Sequence, residues 1–189
     1  MTTGVLILAA GRSARMARAH KLLAEWRGKP LVAHVADAVA DAGLPPPLVV
    51  LGHRAAEVRA ALGDRPARYV VASEYADGLS ASLRAGIAAV PGDWQAVIVA
   101  LGDMPCVAAA TFVALAASAA PIAVPVQGGV RGNPVRWGRR YFPALVSLTG
   151  DAGARGLLAD LPVVEIAVDD PGIFADVDTP SDLAALLAC

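Results

Sequence analysis

GVLILAAGRSARM, at residues 4–16, is an apolar run that passes directly into a turn of small and basic residues. An unbroken apolar run of this kind is typical of a strand buried on both faces of a parallel sheet. The turn brings backbone N–H groups close to a ligand, and Arg12 and Arg15 add guanidinium groups before Lys21 follows. This combination suits a polyphosphate. An ordinary strand-to-helix turn is the alternative interpretation.

Outward from this stretch, short apolar runs alternate with helical patterns along the whole chain. The predicted strands are 4–9, 48–51, 68–72, 96–101, 122–126 and 163–168. The predicted helices are 30–42, 54–62, 79–90, 108–117, 139–148, 154–161 and 180–187, the last with Thr179 and Asp182 spaced as a capping box. The alternation predicts an α/β fold with a doubly wound, mostly parallel sheet, in a single domain over residues 1–189. Ligands of such sheets bind beyond the carboxyl ends of the strands.

The composition excludes several classes of protein. Hydrophobic residues make up 56% of the 189 residues and charged residues 17%, which excludes a disordered chain. A net charge of -1 argues against a general nucleic-acid binder, since such binding needs an excess of basic residues. The apolar runs are too short for a membrane span, and Cys106 and Cys189 cannot form a disulfide framework. We therefore expect a cytoplasmic protein that binds neither membranes nor nucleic acids.

Two later segments of the chain contain carboxylates that are candidates for metal binding. Asp103 lies at the end of a predicted strand and is a candidate Mg²⁺ ligand, because Mg²⁺ commonly takes one or two protein carboxylates besides phosphate and water. A helix-capping role is the alternative for Asp103. Asp176 and Asp178 would share one face if their segment is extended, and one of them could complete the metal site. Alternatively, Asp178 belongs to the turn that begins the last helix.

Together these motifs resemble the MobA-like NTP transferases and, within them, the molybdenum cofactor cytidylyltransferases. LAAGxSxRM at 8–16, followed by KLL at 21–23, is similar to the family's nucleotide-binding signature, and LGDMP at 101–105 is similar to its metal motif. GLSxSL at 78–83, GNPV at 132–135, TGDxGAR at 149–155 and DVDTP at 176–180 follow in the same order. The resemblance covers essentially the whole chain and implies a Rossmann-like fold of the GT-A type. One difference is Ala17, where the family commonly has glycine.

The resemblance also implies a role for individual residues. It implies nucleotide binding by Leu8, Ala9, Ala10, Gly11, Gly78, Ser80 and Ser82, and catalysis by Arg15, Lys21 and Asp103. It implies acceptor binding by Asn133, Asp151 and Arg155, and Mg²⁺ binding by Asp103 with Asp176 and Asp178. The implied substrates are an NTP and a molybdopterin-type acceptor, and a recipient molybdoenzyme is a possible partner. Ala10 favours CTP, because the guanylyl branch tends to have glycine there.

In the implied reaction, an acceptor phosphate oxygen attacks the α-phosphorus of the NTP and pyrophosphate leaves. Such an acceptor needs no strong general base, which fits the absence of an obvious catalytic histidine in the sequence. Two alternatives stay open. A sugar-1-phosphate nucleotidyltransferase has a similar opening motif, and a non-catalytic chaperone for the molybdenum cofactor would bind without turnover. The presence of both Lys21 and Asp103 favours turnover.

Overall fold

The computed structural model describes residues 2–13, 20–150 and 153–186. Its strands are β1 (Thr2–Ala9), β2 (Glu25–Trp26), β3 (Lys29–Pro30), β4 (Leu48–Leu51), β5 (Arg68–Val71), β6 (Trp94–Leu101), β7 (Ile122–Gln127), β8 (Val130–Arg131), β9 (Val135–Gly138) and β10 (Val164–Ala167). Its α-helices are α1 (Leu31–Asp41), α2 (Ala55–Ala61), α3 (Leu79–Ala88), α4 (Ala109–Ala117), α5 (Phe142–Val146) and α6 (Pro180–Ala185). Short 3-10 helices occupy Lys21–Leu23, Tyr75–Asp77, Arg139–Tyr141, Ala154–Ala159 and Pro171–Phe174. None of the helices in these ranges has the length and apolar character needed to cross a membrane.

An eight-stranded sheet forms the centre of the molecule. Its strand order is β10-β7-β9-β6-β1-β4-β5, with β8 paired to β7, while β2 and β3 pair separately as a small antiparallel ribbon. β1 runs parallel to both β4 and β6, β4 runs parallel to β5, and β10 runs parallel to β7. β9 is antiparallel to its neighbours β6 and β7. The predicted mostly parallel α/β fold is therefore confirmed.

Side chains that alternate along β1 pack into two separate cores, one on each face of the sheet. Val5, Ile7 and Ala9 pack with α1, α2 and α4, whereas Leu6 and Leu8 pack with α3 and α5. This alternation follows from the period-two geometry of a strand. Both faces are covered by helices, which explains why the sequence of β1 is apolar at every position from 5 to 9.

Strand β9 is absent from the sequence prediction, and two predicted helices are wrong in detail. Arg136 interrupts the apolar pattern of β9, although Val135 and Trp137 on either side of it are both buried in the core. Arg136 is itself buried and donates to the carbonyl of Ala120 just beyond α4. The predicted helix at 139–148 divides into a 3-10 turn and the five-residue α5, and the one at 154–161 is a 3-10 helix over Ala154–Ala159.

The carboxyl ends of β1, β4 and β6 lie side by side, because these strands are parallel neighbours. The backbone N–H of Gly102 donates to Leu8 O at 3.0 Å, and that of His53 donates to Ala10 O at 3.1 Å. A Cβ atom on Gly52 would lie 2.6 Å from the Cβ of Ala10, so this close approach of two turns requires glycine. The turn after β1 is thereby held between the turns after β4 and β6.

Candidate active site

A cavity of about 520 Å³ opens beyond the carboxyl ends of β1 and β6. Its volume falls within the range typical of small-molecule sites. It is lined by Leu8, Ala10, Gly11, Arg12, Lys21, Leu22, Tyr75, Ala76, Gly78, Leu79, Ser82, Leu101, Asp103, Asp176 and Asp178. Most of the sequence-predicted nucleotide and metal residues are thus brought to one cavity. Arg15 lies outside the described residues.

The turn after β1 forms one wall of this cavity. Gly11 and Arg12 are exposed there, and the Arg12 guanidinium carbon lies 5.9 Å from the ring centroid of Tyr75. The backbone N–H of Lys21 donates to the hydroxyl of Ser13 at 3.1 Å, which joins the start of the turn to the 3-10 helix that begins at Lys21. This contact fixes the direction in which the lysine side chain leaves the backbone.

The Lys21 ammonium group binds two carboxylates from distant parts of the chain. Its Nζ pairs with Asp103 Oδ2 and with Asp178 Oδ1, the latter at 2.7 Å. The three side chains are only 14%, 14% and 27% exposed, respectively. Burial alone would lower the pKa of Lys21, but the two carboxylates outweigh burial and raise the pKa above its ordinary value. Lys21 is therefore a cation that lines the cavity and is held there by two carboxylates.

Asp103 keeps one carboxylate oxygen without a partner. Oδ1 is buried and accepts no hydrogen bond, while Oδ2 contacts Lys21. Burial raises the pKa of Asp103 and the nearby Asp176 raises it further, whereas Lys21 opposes both effects. A buried, unsatisfied carboxylate oxygen is costly unless a ligand or cation satisfies it. Oδ1 is thus a candidate ligand atom for a bound cation.

The acidic segment that carries Asp176 and Asp178 is tied to β6 and α4. The backbone N–H of Val177 donates to Asp103 O at 3.0 Å. The turn before it is fixed by Asp170, whose buried carboxylate accepts bonds from Ala108 N at 2.9 Å, Thr111 Oγ1 at 2.6 Å and Gly172 N at 2.9 Å. Asp170 is therefore the N-cap of the 3-10 helix Pro171–Phe174 and joins that helix to the start of α4. Ala108 is the N-cap residue of α4, so the capping role that the sequence left open for Asp103 is not observed.

The structure also supports the alternative interpretation of Asp178, as part of the turn that begins the last helix. Thr179 and Asp182 form the predicted capping box of α6, and the N–H of Asp178 donates to Asp182 Oδ2 at 3.0 Å. The Asp178 side chain nevertheless pairs with Lys21. Its backbone belongs to the turn, and its carboxylate belongs to the cavity.

A second cavity of about 340 Å³ adjoins the first and shares Leu8, Leu79, Leu101 and Asp176 with it. It contains Asn133 and Arg155, two of the predicted acceptor residues, whereas Asp151 lies outside the described residues. Arg155 Nη2 donates to Arg131 O at 2.8 Å, which links its exposed guanidinium group to strand β8. The rest of the wall is mostly apolar: Leu83, Val99, Met104, Val135, Trp137, Gly153, Ala154, Ile173 and Phe174.

Ala9 and Ser80, which were predicted to bind the nucleotide, are not among the residues that line the cavity. The Ala9 side chain packs in the core on the face of α1, because alternation along β1 turns it away from Ala10. The Ser80 hydroxyl donates to Gly150 O at 2.7 Å and its backbone N–H donates to the same oxygen at 3.1 Å. Ser80 therefore connects the start of α3 to the turn at Gly150.

A row of rings beside the turn after β1 was not predicted from the sequence. His20 is buried and stacks on His53 at a centroid distance of 5.6 Å, and His53 is 6.1 Å from the ring of Tyr75. The pKa of His20 is lowered, first by burial and then by His53 and Arg54. The histidines are scattered in the sequence, so only the tertiary structure brings these rings together.

The donor set at Asp103 fits a hard divalent cation that shares its ligands with a substrate. Among the described residues, no group of three or more His, Cys, Asp and Glu side chains is arranged as a complete metal site. Magnesium, however, usually takes only one or two carboxylates and completes its shell with phosphate oxygens and water. The unpartnered Oδ1 of Asp103, with Asp176 and Asp178 on the same cavity wall, fits that requirement.

Comparison with known proteins identifies the class. The family model for the MobA-like NTP transferase domain matches residues 5–166. Nicotine blue oxidoreductase of Paenarthrobacter nicotinovorans is 34% identical over 197 residues, which covers 98% of this chain and 96% of that protein. The bifunctional protein GlmU of Heliobacterium modesticaldum is 40% identical over 111 residues, 58% of this chain. The chain spans about a quarter of the length of that GlmU, since the match covers 24% of it.

The solved structures agree with this assignment. Rv0371c from Mycobacterium tuberculosis is 33% identical, with a TM-score of 0.89 over 100% of this chain and 99% of that one. A structure of the same protein in complex with manganese is 31% identical, with a TM-score of 0.86 over 100% and 99%. The fold is the α/β nucleotidyltransferase fold of these neighbours. The chain belongs to the MobA-like NTP transferase family.

Proposed function

We propose that the protein transfers a cytidylyl group from CTP to the phosphate of a molybdopterin-type acceptor and releases pyrophosphate. The observation that carries the proposal is the pairing of two adjoining cavities. One holds the turn after β1, Lys21 and the acidic residues, and the other holds Asn133 and Arg155. A transfer between two bound substrates needs such neighbouring sites, because positioning supplies much of the rate.

The first cavity suits the triphosphate. Gly11 is exposed at the turn after β1, and Arg12 and Lys21 both line the cavity and supply positive charge. Cations placed where negative charge develops stabilise the transition state. Lys21 is therefore proposed to neutralise the departing pyrophosphate, together with Arg15.

The proposed reaction forms one P–O bond and breaks another. An acceptor phosphate oxygen attacks the α-phosphorus, and the bond from that phosphorus to the bridging oxygen breaks as pyrophosphate leaves. Asp103, with Asp176 or Asp178, would hold Mg²⁺, which when bound orients and polarises the α-phosphate. Asn133 and Arg155 would hold the acceptor, and Arg155 is a suitable partner for its phosphate.

The proposed preference for CTP rests on one residue that lines the first cavity. Ala10 lines the cavity, and its methyl group would crowd a purine more than glycine would. A difference of one methyl group is worth only about 1 to 3 kcal/mol, so stronger selectivity requires hydrogen bonds to the base. Ser82 lines the cavity and is proposed for that role, whereas the Ser80 hydroxyl is already engaged by Gly150.

The test is a nucleotide panel with molybdopterin as acceptor, in which pyrophosphate release and the dinucleotide product are both measured. We expect CTP to give the main product and Asp103→Asn to lose transfer while keeping its fold, because an amide is a poor ligand for a hard cation. A guanine dinucleotide as the main product would overturn the cytidylyl assignment only. Normal turnover by Asp103→Asn would remove Asp103 from the metal site.

A second candidate follows from the likeness to nicotine blue oxidoreductase, which extends over nearly the whole chain. The largely apolar second cavity, with Trp137 and a partly exposed Phe174, would accept a flat aromatic compound. Oxidation of NADH or NADPH by an aromatic dye, without pyrophosphate release from any NTP, would favour this candidate over the transferase.

A further inference from the structure

The Lys21 ammonium group bridges two carboxylates that the proposed function assigns to the divalent cation. Its Nζ contacts Asp103 Oδ2 and Asp178 Oδ1, and all three side chains are largely buried. Asp103 comes from the end of β6, Asp178 from the segment before α6, and Lys21 from the segment after the first turn. The ammonium is therefore the cation that holds these segments together.

The cavity has more negative charge than this one ammonium neutralises. Asp176 lines the same wall and lies close enough to Asp103 to raise its pKa, and Asp103 Oδ1 has no partner. A divalent cation is attracted to this site, yet two of its carboxylates are occupied by Lys21.

We propose that Lys21 is a displaceable internal cation that keeps the divalent metal site closed until a nucleotide triphosphate draws its ammonium group away. The inference rests on the proposed function and concerns the order of events at that site. The lysine side chain has a flexible four-carbon stem, so Nζ can leave the carboxylates for a phosphate while the backbone stays in place. Nucleotide and metal would then bind with positive coupling, each strengthening the other.

A different arrangement would place the metal on Asp103 Oδ1 and Asp176 with Lys21 left where it is. In that case a neutral residue at position 21 would improve metal binding to the same extent with and without nucleotide. If Lys21 instead closes the site, a neutral residue at position 21 improves metal binding only when no nucleotide is bound. With nucleotide bound, the triphosphate has already drawn the wild-type ammonium group away from the carboxylates, so the substitution brings no further gain. The dependence on nucleotide therefore separates the two arrangements.

The test measures Mn²⁺ binding by the electron paramagnetic resonance signal of free hydrated Mn²⁺. The wild type is compared with Lys21→Met, which removes the charge, and with Lys21→Arg, which keeps it. Each is titrated alone and with a CTP analogue that has a methylene bridge between the α- and β-phosphates. Mn²⁺ bound by the analogue itself is subtracted. Lys21→Gln repeats the comparison if Lys21→Met fails to fold.

Without nucleotide, we expect Lys21→Met to bind Mn²⁺ about tenfold more tightly than the wild type, because a competing charge is gone. Lys21→Arg should behave like the wild type. With the analogue, the advantage of Lys21→Met should vanish or reverse. Equal or weaker binding by Lys21→Met without nucleotide, or an advantage unchanged by the analogue, would overturn the proposal.

The same titration separates this inference from the proposed function. Asp103→Asn should weaken Mn²⁺ binding by the Lys21→Met protein. If it does, and yet wild type and Lys21→Met bind alike, the metal site stands and only the displacement by nucleotide is wrong. If Asp103→Asn leaves Mn²⁺ binding unchanged in every state, the metal assignment fails, and the inference fails with it.

Discussion

Replacing Asp170 with asparagine tests how the acidic segment is held. The Asp170 carboxylate accepts two bonds on Oδ2, from Ala108 N and Thr111 Oγ1, and one on Oδ1 from Gly172 N. Both oxygens face a backbone N–H, so either orientation of an amide would place its NH₂ group against a donor. A buried donor left unsatisfied costs about 1–3 kcal/mol, and hydrogen bonds to charged groups are each worth about 1.5–3 kcal/mol.

We therefore expect Asp170→Asn to lower the free energy of unfolding by about 3 kcal/mol. With a urea m-value of about 2 kcal/mol/M, the midpoint of urea unfolding falls by about 1.5 M with an unchanged slope. Asp169→Asn, at the exposed neighbouring position, is the matched control and should unfold like the wild type. An Asp170→Asn protein within about 0.5 kcal/mol of the wild type would refute the reasoning.

Two further predictions concern charge and packing outside the cavity. Arg65, with help from Lys29, lowers the pKa of Asp37 to about 2 from 3.8, so the stabilisation is present above about pH 4 and is lost as the pH falls toward 2. After allowance for solvent screening it is worth about 1 kcal/mol. Urea unfolding of Arg65→Ala should show a deficit at pH 7 that shrinks by most of that amount as the pH falls to 2, while the loss of the bond from Arg65 Nη1 to Leu62 O persists at both pH values; a deficit that is the same at pH 7 and pH 2 would contradict the pairing. Gly132→Ala should cost about 1–3 kcal/mol, because its Cβ would lie 2.6 Å from Ile173, whereas Gly92→Ala has open space and should be neutral in the same assay.

The sequence predicted the parallel half of the sheet well, because buried parallel strands leave unbroken apolar runs. The predicted strand at 48–51 matches β4, and 4–9 lies within β1. Strand β9 left no such run, since Arg136 breaks it, and the burial of that arginine depends on a carbonyl from another part of the chain. Contacts of this kind have no signature in a local pattern.

The sequence predicted several of the residues that line the cavity, but it did not predict which of their side chains contact one another. Positions after predicted strands placed Lys21 and Asp103 near one edge of the sheet, and the family resemblance implied that Asp178 joins them. All three residues line one cavity in the structure. Their mutual pairing depends on how the segment before α6 folds back onto β6, through the bond from Val177 N to Asp103 O. Tyr75 and the stacked histidines were missed for the same reason, because their rings meet only in the folded chain.

Nucleotidyl transfer is tested most directly by following the label of CTP that carries ³²P at either its α- or its γ-phosphate, with Mg²⁺ and molybdopterin present. We expect the α-label to enter the acceptor product and the γ-label to appear in pyrophosphate, and we expect Asp103→Asn to give neither labelled product. Transfer of γ-label to the acceptor, or release of no label from either form, would contradict nucleotidyl transfer.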